Sequence, residues 1–533
     1  MTFTERRPQH SGDQRGAAVQ SAVTPTRYLP QPPEDDEVDQ YFGAHRPWAF
    51  GWLFVAASGI IYGYARVSQE AWIVSPIMLL FLMVMVPPVV VNFWLRVGRP
   101  RLSLDEHKAR VSRWRVAFEP SVDVFLPSCG EPLDVLNNTF YHVSRIAWRG
   151  VKTVYVLDDA ASEAVRDLAF RYGFRYVVRA HRGWLKKAGN LNHALNVSRG
   201  EFIVVFDADF APRPDFLYET MPYFVDPKVG IVQTAQYFDI DGENFTYIQR
   251  FAGSLQEIFF RFIQPARDRY KAAICAGTNL VYRRRAVDAA GGFARVPIGE
   301  DVHSGIKLWW AGYETRYLPV CLAKGVAPND FAALANQQTR WCRSSMLLMV
   351  EKHFQEAPLT WQQRTAFWAA FLYYMSSAAL LLTGPFPTIT MLWFFPDRVY
   401  AHSYLPMLPA LAATLFIFPA ITRGWRPTIY RVCAINSCCH FYAIWYALKG
   451  RVAEWVPTGA SKTKGQVPTM VNRILVSWIL IVQVLIWSAL VFRIYEYGWS
   501  KYWATLALAC LQLYMLAPLL TPSKGVGGKL KKA

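Results

Sequence analysis

The sequence is poor in charged residues and has no closely paired cysteines of the kind that bind metals. Only 18% of the 533 residues are Asp, Glu, Lys or Arg, whereas 53% are hydrophobic. The eight cysteines include no C-x-x-C pair, and two of them, Cys438 and Cys439, are adjacent within an apolar stretch. This pattern excludes a C-x-x-C metal or redox motif. We expect reduced cysteines that lie in the membrane or face the cytosol.

The N-terminal region lacks the apolar core and the cleavage site of a signal peptide. It is rich in Gln, Pro, Ser and Arg, with an acidic cluster at 34–37. Because such a segment cannot bury enough apolar surface to fold, we predict a disordered cytosolic tail over residues 1–45.

The formal net charge of +18 could indicate a nucleic-acid-binding protein. The basic residues are spread along the chain, however, and they gather near the ends of apolar segments. Examples are Arg96, Arg99, Arg101, Lys529, Lys531 and Lys532. Membrane topology and anionic lipid explain this distribution, so we expect a lipid bilayer and no nucleic acid among the partners.

Long apolar runs indicate an integral membrane protein, since a transmembrane helix needs about 20 mostly apolar residues. Two such runs, 47–67 and 71–95, are joined by a very short loop and predict a hairpin over residues 46–95. Four more lie at 366–395, 404–422, 474–492 and 502–520. The sequence therefore predicts about six spans.

The C-terminal part is predicted to be a transmembrane channel region over residues 356–521, followed by a basic cytosolic tail over 522–533. Within the channel region, 428–448 mixes aliphatic and aromatic residues with Asn436 and His440. That mixture is more typical of an interfacial amphipathic helix than of a span. The positions of the basic residues put the central domain and both termini on one side, which is the cytosol.

Residues 96–355 contain strand-length hydrophobic runs that alternate with helical patterns. The runs lie at 122–127, 152–157, 175–178 and 201–206. Alternation of this kind is typical of an α/β domain with a largely parallel sheet.

Two acidic pairs follow these runs. Asp158 and Asp159 come directly after the second run, and Asp207 and Asp209 come after the fourth. Open α/β sheets bind ligands at the carboxyl ends of their strands. The first pair could accept hydrogen bonds from uracil and ribose, or could be a solvated turn. The second pair could bind a hard divalent cation, Mg²⁺ or Mn²⁺. The alternative is the D-x-D motif of haloacid-dehalogenase phosphotransferases, in which the first Asp is a nucleophile. Those enzymes have Thr or Val two residues after the second Asp, whereas this chain continues with Phe-Ala-Pro, so metal binding is favoured.

Two further segments open helical patterns with charged residues. Between the acidic pairs, Lys187 and Asn190 lie in a K-K-A-G-N segment that could bind phosphate or could be an ordinary helix start. Glu300 and Asp301 open a later helix and could merely favour its dipole. Asp301 is also our candidate for the base that inverting sugar transfer requires.

A third helical pattern carries Gln337, Arg340 and Trp341. The spacing of three places Gln337 and Arg340 on one face. Arg340 can reach diphosphate oxygens, and the Trp341 ring can stack on the face of a pyranose. A bare amphipathic helix at a membrane surface would not require this trio.

Taken in order, the D-D, K-A-G-N, D-x-D, E-D and Q-x-x-R-W motifs resemble those of the processive family 2 glycosyltransferases, most closely the cellulose synthase catalytic subunits. The resemblance covers residues 96–464. It implies a GT-A domain between membrane helices, facing the cytosol, in a multi-pass protein of the plasma membrane. It also implies a UDP-sugar donor, Mg²⁺, inversion at the anomeric carbon, and passage of a growing β-linked polysaccharide through the membrane helices.

The resemblance assigns roles to the donor site. Asp158 or Asp159 would contact the nucleotide, and Lys187 would contact the diphosphate. Asp207 and Asp209 would hold the metal and the donor.

The resemblance also assigns a catalytic base, Asp301, with Glu300 beside it. A gating loop is expected over residues 452–468. The remaining substrate-binding residues would be Asn190, Gly277, Thr278, Gln337, Arg340 and Trp341.

The sequence therefore predicts a glycosyltransferase that polymerises a nucleotide sugar, with UDP-glucose and a β-1,4-glucan as the expected donor and product. Hyaluronan, chitin, mannan and mixed-linkage glucan synthases share these motifs, and transfer of one sugar to a polyprenyl phosphate is a further alternative. From another class, a non-catalytic export channel or scaffold would bind UDP and Mn²⁺ without turnover. An extracytoplasmic accessory protein could receive the polymer.

Overall fold

The computed structural model describes residues 29–43, 46–96, 100–238, 240, 245–449 and 465–520. Parts of three predicted segments lie outside the described residues. These are the tail before residue 29, the gating loop before residue 465 and the basic tail over 522–533.

The strands and helices are numbered along the chain. The strands are β1 (Val122–Ser128), β2 (Lys152–Asp158), β3 (Arg175–Val177), β4 (Phe202–Val205), β5 (Phe210–Pro212), β6 (Val229–Gln233), β7 (Tyr237–Phe238), β8 (Leu280–Arg283), β9 (Glu314–Tyr317) and β10 (Ala323–Gly325). The first helices are α1 (Asp35–Val38), α2 (Pro47–Glu70), α3 (Ser75–Arg96), α4 (Leu104–Arg113), α5 (Leu133–Ser144), α6 (Glu163–Arg171), α7 (Lys186–Val197), α8 (Phe216–Thr220), α9 (Tyr247–Ile258), α10 (Gln264–Asp268), α11 (Arg284–Ala289) and α12 (Glu300–Trp310). The later helices are α13 (Phe331–Val350), α14 (Lys352–Gln355), α15 (Trp361–Thr383), α16 (Phe386–Phe394), α17 (Leu408–Ala412), α18 (Phe418–Ile421), α19 (Ile429–Leu448), α20 (Gln466–Tyr497) and α21 (Trp499–Leu516). Short 3₁₀ or π turns lie at Trp72–Val74, Met221–Val225, Phe259–Ile263, Pro396–Arg398, Ala401–Met407, Ala413–Ile417 and Ala517–Leu520.

Seven strands form the main sheet, in the order β3-β2-β1-β4-β8-β6-β9. Neighbouring strands are parallel except where β8 pairs with β4 and β6. The strands are nearly continuous apolar runs because the sheet is covered on both faces; β4, for example, is buried along its whole length. Alternate residues of β1 enter separate cores, with Leu126 in one and Phe125 in the other. The predicted, mostly parallel α/β sheet is confirmed.

The strand order reverses beside β1. From β1 the chain moves outward to β2 and β3, and then returns to place β4 on the other side of β1. Open α/β sheets bind ligands outside the carboxyl ends of the strands at such a reversal. The chain segments that follow β1, β2 and β4 therefore meet at one place.

A small second sheet continues directly from this place. Strand β5 begins one residue after Asp209 and pairs antiparallel with β10. On its other side, β10 pairs parallel with β7. These ladders fix the backbone that leaves the D-x-D pair.

Six helical segments of the described chain are long and apolar enough to cross a membrane, as predicted. Two precede the α/β domain and four follow it, which is the arrangement of a multi-pass membrane protein. The segments are Trp48–Glu70, Trp72–Leu95, Trp361–Phe394, Ala401–Ile421, Gln466–Tyr497 and Trp499–Leu520.

Helix α19 covers the range for which we predict an interfacial helix. The polar residues behind that prediction are buried: Asn436 is 4% exposed and His440 is fully buried. The His440 ring packs edge-on against the rings of Tyr373 and Tyr374 on α15. The polar face of α19 is thus covered by protein, and its position relative to the membrane surface stays a prediction.

The prediction of a disordered tail over residues 1–45 is wrong for residues 29–43, which we call the N-terminal strap. Its acidic residues form ion pairs with the domain, Glu37 with Lys324 at 2.7 Å and Asp35 with Arg213 at 2.8 Å. Tyr41 is 2% exposed and packs edge-on against Tyr237 of β7. The acidic cluster that suggested a solvated segment thus forms ion pairs with basic residues at the small sheet.

We expect Tyr41→Ala to destabilise the protein, because it leaves a cavity between the strap and the small sheet. Truncation of a buried aromatic side chain costs about 3 kcal/mol in unfolding free energy. The measurement is thermal unfolding of the detergent-purified protein. Asp36→Ala, an exposed change in the same strap, is the control and should leave the melting temperature unchanged. Equal melting temperatures for the two variants would contradict the ordered strap.

Candidate active site

A cavity of about 760 Å³ opens where the segments after β1, β2 and β4 meet. The starts of α7 and α12, one face of α13, and parts of α2, α3 and α15 complete its walls. The predicted site residues that line it are Asp159, Lys187, Asn190, Asp207, Asp209, Glu300, Asp301, Gln337, Arg340 and Trp341. Residues that lie far apart in the sequence are thus brought to one cavity.

Lys187 connects the acidic motifs. Its ammonium group lies 2.5 Å from the Asp207 carboxylate, 2.8 Å from the Gly277 carbonyl oxygen and 3.8 Å from the Glu300 carboxylate. Burial opposes the charge, but the Asp207 and Glu300 carboxylates outweigh it and raise the pKa of Lys187. The lysine therefore stays charged and holds the starts of α7 and α12 against the end of β4.

Asp209 has no ion-pair partner among the described residues. Its burial, together with the neighbouring carboxylates of Asp207 and Glu131, raises the pKa of Asp209 to about 7. The described residues contain no group of three or more His, Cys, Asp or Glu side chains placed to hold a metal. Mg²⁺ is commonly bound by one or two carboxylates plus substrate phosphates, and the Asp207 and Asp209 pair fits that pattern.

The two residues of the D-D motif have different environments. Asp158 is fully buried and accepts hydrogen bonds from the backbone N–H groups of Ala160 and Ser162, at 2.9 and 2.8 Å, and from the Tyr176 hydroxyl at 2.9 Å. It does not line the cavity. The prediction of Asp158 as a substrate-binding residue is therefore corrected, since its carboxylate holds the turn after β2.

Asp159 lines the cavity and is held from behind by Arg179. The two side chains form a bidentate pair with distances of 2.6 and 2.5 Å, and both are nearly buried. Arg179 also donates to the carbonyl oxygens of Trp184 and Lys186, which lie just before and at the start of α7. One arginine thus fixes the D-D and K-A-G-N motifs relative to each other.

Gly277 and Thr278 support the site and do not line it. Gly277 has φ +80°, and a Cβ there would lie 2.8 Å from an Asp301 carboxylate oxygen, so only glycine fits. The Thr278 hydroxyl accepts a hydrogen bond of 2.9 Å from the Asp207 backbone N–H. Both residues therefore position Lys187, Asp207 and Asp301, and their direct contact with substrate stays a prediction.

Asn190 of α7 lines the cavity, is 2% exposed, and has one end of its side-chain amide paired and the other unpaired among the described residues. Its amide nitrogen donates to the Leu157 carbonyl oxygen at 2.6 Å, at the end of β2. Its amide oxygen has no partner among the described residues.

Glu300 and Asp301 form the first turn of α12. Burial raises the pKa of both carboxyl groups, and their mutual repulsion adds to the shift for Glu300. Lys187 opposes the shift in each case. A base works best when its pKa lies near the working pH, so the shift of Asp301 suits the predicted role. Gly299, at φ +73°, precedes the pair because a Cβ there would collide with the Ser344 hydroxyl of α13.

Gln337, Arg340 and Trp341 project from one helix, α13, into the cavity. Gln337 is 6% exposed, and its amide oxygen has no partner among the described residues. At the far end of α13, Glu351 pairs with His303 of α12 at 2.6 Å. Burial lowers the pKa of His303, so the contact is a hydrogen bond from its neutral ring to the Glu351 carboxylate. That hydrogen bond ties the helix of the E-D motif to the helix of the Q-x-x-R-W motif.

Sequence reasoning missed four residues at or behind the site: Glu131, Arg179, His303 and Glu351. Glu131 lines the cavity, and burial raises the pKa of its carboxyl group. It follows β1 just as Asp159 follows β2, so the rule applied to the other strand ends could have found it. The other three act through contacts between distant segments, which no local pattern shows.

A family model described as Glycosyl transferase family group 2 matches residues 202–417. This range begins with β4 and includes the D-x-D, E-D and Q-x-x-R-W motifs. Residues 202–417 are thus similar to the family 2 glycosyltransferases.

Similarity to characterised proteins extends beyond that range. The cellulose synthase catalytic subunit (UDP-forming) of Pseudomonas fluorescens strain SBW25 is 29% identical over 337 residues, which are 62% of this chain and 45% of that protein. The protein of the same name from Xanthomonas axonopodis pv. citri strain 306 is 32% identical over 261 residues, 48% of this chain and 36% of that protein. A solved mannosyltransferase structure from Pyrobaculum calidifontis, in complex with GDP-Man and Mn²⁺, has a TM-score of 0.43 and 17% identity, covering 72% of this chain and 98% of that chain. The chain spans less than half the length of the two curated relatives.

The family match and the sheet architecture confirm the predicted fold class, a GT-A type α/β domain between membrane helices. The similarity to bacterial cellulose synthase catalytic subunits confirms the predicted resemblance. The class of the domain, a glycosyltransferase, is confirmed with it.

We expect Asp209→Asn to stabilise the glycosyltransferase domain in a pH-dependent way. Below its raised pKa of about 7, folded Asp209 holds a proton that the unfolded chain releases near its ordinary pKa of 3.8. The wild type therefore loses stability as pH rises between these two values, and the loss is complete above about 7.

The measurement is the melting temperature of wild type and Asp209→Asn at pH 5 and pH 8, without added metal. The variant should melt higher than the wild type at pH 8, and the difference should shrink at pH 5. Asp167→Asn, at an exposed position of α6, is the control and should show no such trend. A constant difference at both pH values would contradict the raised pKa.

Proposed function

We propose that the protein is a processive inverting glycosyltransferase that polymerises a nucleotide sugar and moves the polymer across the membrane. We propose UDP-glucose as the donor and a β-1,4-glucan as the product. The observation that carries this proposal is the shared cavity, in which Asp301 and the D-x-D pair lie in the same space as residues of α2, α3 and α15. The names of the curated relatives, which specify cellulose and UDP, support the choice of donor.

The donor site uses the acidic and basic groups at the carboxyl edge of the sheet. Asp159 would accept hydrogen bonds from the nucleoside, while Lys187 and Arg340 would contact the diphosphate. Asp207 and Asp209 would hold a divalent cation, Mg²⁺ or Mn²⁺, which supplies positive charge against the departing diphosphate. Lys187 contacts Asp207, and a bound diphosphate would give it a second set of anions to neutralise.

The acceptor site would lie between α12 and α13. A terminal sugar stacked on Trp341 would present its hydroxyl group to Asp301. The hydroxyl oxygen forms a bond to the anomeric carbon, the bond from that carbon to the UDP oxygen breaks, and the proton passes to Asp301. Attack from the face opposite the leaving UDP inverts the anomeric configuration.

The polymer would leave along the α13–α15 wall of the cavity, formed by Gln337, Trp341, Tyr373, Tyr374 and Ser376. Aromatic rings can stack on sugar faces, and the amide and hydroxyl groups beside them can bind sugar hydroxyls. We propose that the catalytic domain faces the cytosol of a cell whose plasma membrane contains the six helices. An extracytoplasmic accessory protein that receives the polymer fits this direction of transfer.

The test is release of the nucleoside diphosphate by the purified protein in proteoliposomes: UDP from UDP-glucose, UDP-N-acetylglucosamine or UDP-glucuronate, and GDP from GDP-mannose, each supplied separately. We expect a signal with UDP-glucose that requires a divalent cation, and a product that a β-1,4-glucanase degrades. Turnover with another donor would reassign the polymer to one of the other β-linked polysaccharides. UDP binding without turnover of any donor would favour the export channel or scaffold.

We expect Asp301→Asn to lower the rate of UDP release by 10²–10⁴-fold, the range typical of a lost general base. UDP affinity should change little, because the variant keeps the size of the side chain and the diphosphate contacts of other residues. Asp288→Asn, on the exposed face of α11, is the matched control and should retain wild-type turnover. Wild-type turnover in Asp301→Asn would exclude this residue as the base.

A further inference from the structure

Arg267 is a buried cation without a counter-ion. It lies on α10, is 2% exposed and lines the catalytic cavity. Its guanidinium donates to two backbone carbonyl oxygens, those of Ala272 at 3.0 Å and Ala366 at 2.6 Å, and lies 4.7 Å from the centre of the Phe367 ring. The second terminal nitrogen has no acceptor in the described part of the chain, and no carboxylate there forms an ion pair with Arg267.

The positive charge of Arg267 is therefore not balanced by a carboxylate among the described residues. Buried charges in proteins are normally paired, since an isolated ion in a low-dielectric interior loses its hydration. Arginine cannot relieve the loss by giving up its proton at physiological pH. Burial lowers the pKa of Arg267 to about 9, and no nearby carboxylate offsets the effect. An anion bound at this wall of the cavity would supply the missing partner.

The neighbours of Arg267 place it at the level of a membrane surface. Trp94, at the end of α3, stacks on Tyr270 at 5.0 Å between ring centres and on Trp361, at the start of α15, at 5.2 Å. Clusters of Trp and Tyr at the ends of membrane helices mark the headgroup region of a bilayer. Ala366, which accepts from Arg267, lies near the start of the same span. The guanidinium therefore lies beside the ends of two candidate membrane spans, the region in which lipid phosphates are expected.

The adjoining wall of the cavity is apolar. Its lining residues from α2 and α3 include Phe50, Leu53, Phe54, Met85, Val89 and Phe93, and among the side chains that the structure describes on these two helices, none that lines the cavity has a hydroxyl, amide or charged group. The Phe54 and Phe93 rings lie 4.8 Å apart, and each is 37% exposed. Sugar hydroxyls against this wall would lack hydrogen-bond partners, whereas a hydrocarbon chain would bury apolar surface on it.

We propose that the α2–α3 wall and Arg267 together bind one membrane lipid with an anionic phosphate headgroup. The phosphate oxygens accept hydrogen bonds from the guanidinium, and one acyl chain lies along α2 and α3. The lipid closes the apolar side of the catalytic cavity and leaves the α13–α15 wall to the substrate. The proposal rests on Arg267 and the apolar wall, and it requires neither a particular donor nor turnover.

The test measures lipid retained by protein purified in dodecyl maltoside, using native mass spectrometry. We expect about one phospholipid per wild-type molecule and at least a tenfold lower occupancy in Arg267→Gln. Arg269→Gln removes an exposed positive charge two residues away and should retain the lipid. Arg267→Lys, which keeps the charge but loses the planar fork, should give intermediate retention. Equal retention in wild type and Arg267→Gln would overturn the proposal.

Competition on the wild-type protein keeps the test decisive even where a variant fails to fold. Dodecyl phosphate should displace the retained lipid at concentrations at least 100-fold lower than inorganic phosphate does. Equal potency of the two would show a site for a soluble anion and exclude a lipid. Because displacement is measured without any nucleotide sugar, a negative donor panel and a negative lipid result remain distinguishable.

Discussion

The charge balance around Lys187 is the constraint on which the site depends. Three acidic motifs converge on one largely buried cavity, and their carboxylates would repel one another strongly without a cation between them. Lys187 contacts the Asp207 and Glu300 carboxylates directly. It also donates a hydrogen bond to the Gly277 carbonyl oxygen, which fixes the position of its ammonium group. Lys187 does not neutralise all of these carboxylates. Burial and the neighbouring carboxylates still raise the pKa of Asp209 to about 7. The remaining negative charge is what a divalent cation can complement.

A second set of contacts keeps these charges in place. Arg179 joins Asp159 to the backbone at the start of α7, and the Thr278 hydroxyl fixes the backbone of Asp207. The hydrogen bond between His303 and Glu351 ties α12 to the end of α13. Each contact joins segments that are distant in the sequence, so the relative positions of the motifs at the cavity depend on the fold as a whole. In enzymes, charged groups that are fixed in place before the reaction usually make the largest contribution to stabilising the charge that develops in the transition state.

The sequence predicts the parts of this protein that depend on local pattern. Apolar run length predicts six spans, and strand ends predict where the acidic motifs meet. Local pattern could not separate Asp158 from Asp159, since both follow β2 and only the packing of Ser162 and Tyr176 turns Asp158 inward. The ordered N-terminal strap was missed for a similar reason. Its acidic residues are stabilised by Lys324 and Arg213, which lie far along the chain.

The two sides of the cavity differ in a way that constrains what can occupy each. The α13–α15 wall offers rings beside amide and hydroxyl groups, which suits a molecule with apolar faces and polar edges, such as a pyranose. Among the described residues, the α2–α3 wall offers apolar surface, and Arg267 beside it has no counter-ion. A polysaccharide in contact with both walls would leave the hydroxyls on one side unsatisfied, at a cost of about 1–3 kcal/mol for each buried group. An amphiphile on the second wall avoids that conflict, because its acyl chain fills the apolar side of the cavity and leaves the sugar in contact with the α13–α15 wall alone.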